Sequence, residues 1–286
     1  YVNDDWVGLP NGTIVDGHEI GYDAFASIQD GINGVKEGGI VYVYEGVYEE
    51  SIGINKKVSI ISLNGTANTI IKASGQNAVT MNYPCLLDGF TIRDAHADYD
   101  NVRGIWVKAD GCIIRNVTIT NISAKQNDSI TIYTYGIMIN YADNCTVENV
   151  TIYDIEGNDS TAYGIYAYDS SNNSFKDITI FNITSVSTAY GMYISYGENS
   201  ELVGINIDNV DGSSSYGIRT GYADNNILRW INVTESKYGI ALDSYSDYNI
   251  IENCVVANNT LYGIIIGRAT YNIIKNNNVH DNRYGI

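Results

Sequence analysis

Proline is almost missing from this sequence, two residues in 286, and no apolar run approaches the roughly 18 to 20 residues that a membrane helix requires. Set beside 44% apolar content, the scarcity of proline excludes a disordered chain, and the lack of long apolar runs excludes a helix that spans a bilayer. Basic residues are outnumbered 16 to 33 by acidic ones, which leaves a charge of −17. A surface of that sign repels phosphate backbones, so nucleic acid is excluded as a partner. There are three histidines, His18, His96 and His280, far apart in the chain, and no Cys-x-x-Cys pair. A zinc site and a Ser/His/Asp or Cys/His catalytic set are therefore not expected. The chain starts at Tyr1 rather than at a methionine, which predicts a processed or trimmed start.

What the sequence does have is a repeat. Cys85-Leu-Leu-Asp-Gly-Phe-Thr-Ile92 aligns with Cys112-Ile-Ile-Arg-Asn-Val-Thr-Ile119 and Cys145-Thr-Val-Glu-Asn-Val-Thr-Ile152, and the pattern restarts at Asn173, Ser200, Asn226, Asn249 and Asn272. Two positions into each unit an apolar residue recurs, from Leu87 and Ile114 to Ile274, and seven positions in another, from Ile92 and Ile119 to Val279. A second strand follows at Tyr-Gly-Ile, headed by Tyr135, Tyr163, Tyr190, Tyr216, Tyr238, Tyr262 and Tyr284, with Arg103-Gly-Ile as an early variant. Within it apolar residues alternate, as a β-strand requires. One connection keeps its length and the other varies, so the unit is one coil of a solenoid that buries its apolar positions against the coils on either side. Leucine-rich repeats fit less well, because spaced leucines and helical stretches are missing; a β-sandwich would not keep such columns in register.

The predicted fold is therefore all-β, a single-stranded right-handed parallel β-helix, occupying residues 23–286 and continuing beyond 286. Residues 1–22 are an extended N-terminal segment. Phe25, Ile28, Ile32 and Val35 fall at helical spacing, so residues 23–37 are predicted to form a short helix that plugs the first coil. The column Asp88, Arg115, Glu148, Lys176, Val203, Arg229, Glu252, Lys275 alternates in sign with one neutral break, which supports the alignment independently.

Phe25-Ala-Ser-Ile-Gln-Asp-Gly-Ile through Gly38-Gly-Ile-Val-Tyr-Val-Tyr-Glu-Gly-Val-Tyr-Glu-Glu50 resembles the first-coil segment of pectin-lyase-like right-handed β-helices. The Tyr-Gly-Ile and Asn-x-x-Ile repeats resemble those of carbohydrate-binding and sugar-hydrolase β-helix proteins, NosD-like proteins included. The richness in Asn, Ile and Tyr is similar to that of surface-layer and adhesin-like proteins of methanogenic archaea. The catalytic motifs of polygalacturonases, alginate epimerases and pectin methylesterases are not found in the sequence.

Twelve Asn-x-Ser/Thr sequons occur, where 34 Asn and 40 Ser plus Thr predict about five by chance. They favour a secreted, glycosylated chain. The candidate acceptors are Asn11, Asn64, Asn116, Asn121, Asn127, Asn149, Asn158, Asn172, Asn182, Asn232 and Asn258, with Asn144 a poorer one beside Cys145. Asn127, Asn158 and Asn182 lie in insertions after Ile119, Ile152 and Ile180 that, with one after Ile207, are predicted to stack as a polar ridge.

Asp94, His96, Asp98 and Asp100 alternate in one insertion and are the candidate metal ligands; the turn column Asp110, Asp143, Glu198, Asp224 and Asp247 is a second place for calcium. No other cofactor is expected. Cys85, Cys112 and Cys145 share one repeat position, as buried thiols continuing an amide ladder or with one disulfide between adjacent coils, and Cys254 belongs to the core. The Tyr column either stacks on itself or offers rings to sugars. These features predict an extracellular cell-envelope glycoprotein of surface-layer or adhesin-like type without catalytic activity. Its partners would be neighbouring copies, other envelope proteins and glycans. The competing function is a polysaccharide-active enzyme or glycan-binding module using the groove beside the long loops.

Overall fold

The computed structural model describes residues 1–125, 132–158 and 160–286. Parallel pairing of coil on coil produces an all-β solenoid with one nine-stranded sheet, from Ile52–Ile54 to Tyr262–Gly267, and an 18-stranded sheet that wraps the remaining sides. The register is the one the repeat predicts. Ile92 pairs with Ile119, Ile119 with Ile152, Ile152 with Ile180 and Ile180 with Ile207, and the column runs on through Val233 and Val256 to Val279. Leu87, Ile114, Val147, Phe175, Leu202, Leu228 and Ile251 form the other column, and all are buried. Each such side chain contributes about 1.5 to 3 kcal/mol relative to an exposed one, which is why the apolar columns set the stacking.

The corners of the coil are single residues in the left-handed region. In one coil they are Tyr141, Asn144, Asn149 and Asp154; in the next, Asp169, Asn172, Asp177 and Asn182. The spacing of three, five and five residues recurs in Tyr196, Asn199, Gly204 and Asn209, and in Tyr222, Asn225, Trp230 and Glu235. Asn, Asp and Gly tolerate this conformation best, so the corners account for much of the asparagine content. From Asn116 onward the variation in coil length falls between the last corner and the next first one; the early coils vary elsewhere, as in the loop between Ser59–Ser62 and Thr69–Lys72. Asn121 to Tyr141 is 20 residues, Asp154 to Asp169 is 15, and Asn258 to Arg268 is 10.

That variable arm corrects the predicted polar ridge. Past the corner the strands continue, as Ile113–Ala124, Thr146–Gly157 and Ser174–Ser185, and Ile122, Ile155, Ile183 and Val210 make a further buried column. An inward aliphatic residue directly after a corner extends the wall instead of leaving it. The polar part is confined to short turns such as Val186–Ser187 and Gly212–Ser213; residues 126–131, with Asn127 among them, lie outside the described ones.

Polar columns are bonded from coil to coil, although Asn173 Nδ2 is buried with no partner among the described residues. The amide N–H of Cys145 donates to Asn173 Oδ1 (2.7 Å), Asn173 N–H to Ser200 Oγ (3.1 Å), and Ser200, Asn226 and Asn249 N–H to Asn226, Asn249 and Asn272 Oδ1 (2.8, 2.8 and 2.7 Å). A buried amide that bonds in both directions avoids the ~1 to 3 kcal/mol of an unsatisfied polar group. The sequence pattern did not reveal a second amide column, in which Ser236 and Asn259 N–H donate to Asn259 and Asn282 Oδ1. The charge column is paired as expected: Arg115 with Asp88 (2.8 Å), Lys176 with Glu148 (3.1 Å), and both Arg229 (3.1 Å) and Lys275 (2.8 Å) with Glu252.

The capping helix is shorter than 23–37. It spans Ile28–Gly34, with Ser27 as N-cap, and buries Ile28 and Ile32 against the first coil. Phe25 lies before it and packs its ring where a Cβ on Gly34 would sit, and Val35 is already extended. Glu50, on the first coil, accepts the N–H groups of Ile28 (2.7 Å) and Gln29 (3.0 Å), which satisfies two free donors at the helix N-terminus. Residues 1–22 are not simply extended. Val2 is buried and bridges Val43 and Phe25, Asp4–Trp6 is a 3₁₀ turn, and Ile14–Val15 pairs antiparallel with His18–Glu19.

Candidate functional site on the tyrosine side of the coil

Every Tyr-Gly-Ile glycine from Gly136 to Gly263 is required by close approach, whereas Gly285 has open space. A Cβ on Gly164 would lie 2.5 Å from Gly191 O and 2.7 Å from Ile180 Cγ2, and the equivalent contacts recur at Gly136, Gly191 and Gly217. The strand therefore presses onto the opposite wall, and the tyrosine before the glycine turns outward. Tyr135, Tyr163, Tyr190, Tyr216 and Tyr238 then stack with ring centroids 5.0, 4.9, 5.3 and 4.6 Å apart. This is the self-stacked alternative for the tyrosine column, in which each ring face is turned to its neighbour and not to solvent.

A second outward column runs three residues after the first: Trp106, Met138, Tyr166, Tyr193 and Arg219, in register. Tyr166 lies 4.9 Å from Tyr163, and Tyr193 lies 5.1 Å from Tyr190. Cations sit among the rings. The Arg219 guanidinium lies 5.0 Å from the Tyr216 ring and 5.4 Å from the Tyr193 ring, and it donates to Tyr190 Oη (3.0 Å) and to Asp243 (2.9 Å). Arg103 stands 4.2 Å over Trp106 and donates to Asn77 Oδ1 (3.1 Å), with Lys108 4.5 Å from the same indole. Trp106 Nε1 and Arg219 Nε have no partner among the described residues.

The aromatic surface continues across the next corner. Tyr168 makes edge contacts with Tyr141 (5.4 Å) and Tyr196 (5.7 Å), and Tyr196 stacks on Tyr222 at 4.9 Å. Tyr141, Tyr196, Tyr222 and Tyr245 occupy left-handed corners, and Tyr141 and Tyr245 are 61% and 58% exposed. A tyrosine there costs about 1 to 2 kcal/mol that Gly would not, so neither backbone preference nor burial explains the choice. Burial pushes the phenol pKa values of Tyr135, Tyr163, Tyr166, Tyr190 and Tyr216 upward, although Arg219 pulls the last two down.

Other candidate sites resolve differently. Asp94, His96, Asp98 and Asp100 do not converge: Asp94 is a corner residue that accepts from Asn121 Nδ2, His96 bonds Ser123 and Asp98, and Asp100 caps its neighbour's N–H. Only His96 of the four lies in a strand, His96–Ala97, so no shared strand face lines them up, and no group of three or more His, Cys, Asp or Glu among the described residues is placed to hold a metal. The turn acids are used by the backbone; Asp143 accepts Ser171 N–H (2.7 Å), Asp224 accepts Asp247 N–H (2.7 Å) and Asp247 accepts Thr270 N–H (2.6 Å). Cys85, Cys112, Cys145 and Cys254 are all free and buried. Cys112 is pulled down by its Cys145 bond, but its Cys85 bond and burial outweigh this and push the thiol up to about 12.

The sequons are also clarified. Asn116, Asn121, Asn144, Asn149, Asn172, Asn182 and Asn258 are left-handed corners, each followed by an inward residue and then an outward Ser or Thr. The corner geometry by itself writes Asn-x-Ser/Thr. The outward residues Trp106, Tyr166, Tyr193 and Arg219 were not singled out from the sequence, although their constant offset from the Tyr-Gly pair marks them.

The family described as a right-handed beta helix region matches residues 135–286, a little over half of the chain. The chain belongs to the right-handed β-helix family. No curated protein matches it by sequence. Among solved structures, this β-helix is similar to the enzymatically active domain of tailspike protein 2 of bacteriophage CBA120, with a TM-score of 0.55 at 14% identity over 90% of this chain and 43% of that one. It is also similar to the catalytic domain of an α-1,3-glucanase in complex with nigerose, with a TM-score of 0.52 at 15% identity over 90% and 53%. The Azotobacter vinelandii mannuronan C-5 epimerase A-module aligns over 99% and 97% at 14% identity and a TM-score of 0.49. The β-helix thus spans about half of the first two proteins, and at these identities the likeness is one of fold.

Proposed function

We propose that this β-helix is a non-catalytic, extracellular cell-envelope solenoid that holds polysaccharide against its tyrosine side. The observation that carries the reading is the continuous aromatic surface of Trp106, Tyr166, Tyr193 and the corner tyrosines, interleaved with Arg103 and Arg219, on a rigid scaffold. Amphipathic rings suit a sugar chain, which offers both C–H faces and hydroxyls. The coil repeat, near the ~4.8 Å of paired strands, lays the same groups out along the axis as an extended polymer requires. Glycan binding is further supported by the α-1,3-glucanase fold neighbour, whose catalytic domain is complexed with nigerose. Placement outside the cell rests on the polysaccharide partner, which is found there; the sequons written by the corner geometry do not carry it.

Holding is favoured over cleavage by the phenols themselves. A lyase or epimerase needs a base poised near neutral pH, whereas Tyr190 and Tyr216, the phenols nearest Arg219, have pKa values raised by burial in spite of that cation. Asp243 is bound in an ion pair with Arg219 rather than set opposite a second carboxylate, as glycoside hydrolysis requires.

The test is affinity electrophoresis through gels containing neutral, acidic and amino polysaccharides. At least one polymer should retard the protein, Tyr166→Ala/Tyr193→Ala should lose most of the retardation, and Trp230→Ala, an exposed aromatic on another corner, should keep it. Migration of the parent unaffected by every polymer, or of the double variant equal to the parent's, would overturn the reading. Release of new reducing ends or unsaturated products would establish the enzymatic alternative.

A further inference from the structure

The sequons of this β-helix differ in one respect that decides their use. A transferase must take the whole Asn-x-Ser/Thr triplet into its own groove with the asparagine amide free. At the corners the middle residue belongs to the interior: Val117, Ile122, Cys145, Val150, Asn173, Ile183 and Asn259 are all buried, as is Val233 after Asn232. Several corner amides are also engaged. Asn116 Nδ2 donates to Asp88 Oδ1 (2.7 Å), Asn149 Nδ2 to Asn116 Oδ1 (2.7 Å) and Asn182 Nδ2 to Asp154 Oδ1 (3.1 Å). To be modified they would have to leave the ladder and draw a core side chain out with them.

Three described sequons remain. Asn158 is half-buried and its Nδ2 faces Ala124 O at 3.4 Å. Asn11 is also exposed and is followed by Gly12 at φ +85° in open space, but its side-chain amide is laid over Gly21, where a Cβ would meet Asn11 Cγ and Oδ1 at 2.7 Å, and is turned toward the chain. Asn64 is different. Asn64-Gly65-Thr66 lies between the strands Ser59–Ser62 and Thr69–Lys72, and Asn64 is exposed. Gly65 has φ +74° with open space around it, and Asn64 is tied down only through its backbone, its N–H to Ser62 Oγ (3.2 Å) and its C=O from Asn68 Nδ2 (3.2 Å).

We propose that Asn64 is the N-glycan acceptor of this β-helix and that the described corner sequons stay bare. The inference rests on the extracellular placement proposed above. Its loop belongs to the 18-stranded sheet, not to the nine-stranded sheet that carries Tyr166 and Tyr193, so a glycan there leaves the tyrosine side free.

Exposure of the folded, unglycosylated protein to a purified single-subunit oligosaccharyltransferase and its lipid-linked donor, followed by glycopeptide mapping, tests it on the native structure and independently of where the native protein resides. Asn64 should carry glycan in most molecules, and Asn116, Asn149 and Asn182 in few. Asn64→Gln and Thr66→Ala should each remove the glycan at this site while leaving the melting temperature within about 2 °C of the enzymatically deglycosylated parent. Thr66→Ala keeps the carbonyl that accepts from Thr91 Oγ1, so it reports on the sequon and not on the loop. An unoccupied Asn64, or corner occupancy equal to that at Asn64, would overturn the proposal. Polysaccharide retardation of the deglycosylated protein reads the binding function separately.

Discussion

Replacing Gly164 by alanine tests the packing that creates the tyrosine side. The added Cβ would stand 2.5 Å from Gly191 O and 2.7 Å from Ile180 Cγ2, and contacts below 3.0 Å force something to move. Ile180 is fully buried between Ile152 and Ile207, so it has nowhere to turn. Gly191 O belongs to the next coil's strand, so moving it disturbs the ladder between Thr161–Tyr168 and Thr188–Ser195. Overpacking of this kind costs about 1 to 3 kcal/mol, and a backbone obstacle places it near the upper end. Against this, alanine restricts the unfolded chain and returns about 0.4 to 1 kcal/mol. The net expectation is a loss of about 2 kcal/mol, read as a lower urea midpoint at unchanged slope. Gly53→Ala, in the same sheet, is the control: its Cβ would meet only Asn55 Nδ2 at 3.6 Å, so stability should hold or rise slightly. Equal midpoints for Gly164→Ala and Gly53→Ala would refute the close-approach account of the Tyr-Gly-Ile repeat.

Ile180→Asp places an unpaired carboxylate in a closed apolar column and should cost about 4 kcal/mol or more, visible as a collapse of the thermal transition; a melt within a degree or two of the parent would contradict the register. Absorbance titration at alkaline pH should show the ladder tyrosines ionising late. Burial raises the folded pKa of Tyr135, Tyr163 and Tyr166 above the ~10 of an unfolded phenol, so this contribution is complete below pH ~10 and stability falls as pH rises past it. Early, fully reversible ionisation of all 25 tyrosines would disprove their burial. The four thiols should be inert to a thiol reagent in the native protein and react together on unfolding, since all four are buried and the pKa values of Cys112, Cys145 and Cys254 are raised. In acid, Glu252, held below its usual range first by its Lys275 hydrogen bond, contributes stability above the ordinary carboxylate pKa that disappears as pH falls through the lowered one; Lys275→Met should flatten that part of the pH–stability curve.

The sequence by itself determined the fold and the register of this β-helix. In a parallel solenoid each coil lies on the next at one phase, so a repeat that marks inward positions also marks every pairing. The Ile92, Ile119, Ile152, Ile180 column and the Asp88, Arg115 pairing are consequences of that rule. The tertiary structure alone decided three things. It placed the corners, because the sign of φ at Asn149 or Tyr196 leaves no trace in an inward-outward alternation. It joined outward columns around a corner, bringing Tyr168 against Tyr141 and Tyr196 and setting Arg219 among the rings of Tyr190, Tyr193 and Tyr216. And it kept Asp94, His96, Asp98 and Asp100 from gathering into one cluster, by giving Asp94 to the Asn121 amide and His96 to Ser123 and Asp98. Periodicity states which side of the wall a residue faces, but which outward residues become neighbours depends on where the chain bends, and that is fixed by the packing of each coil on the last.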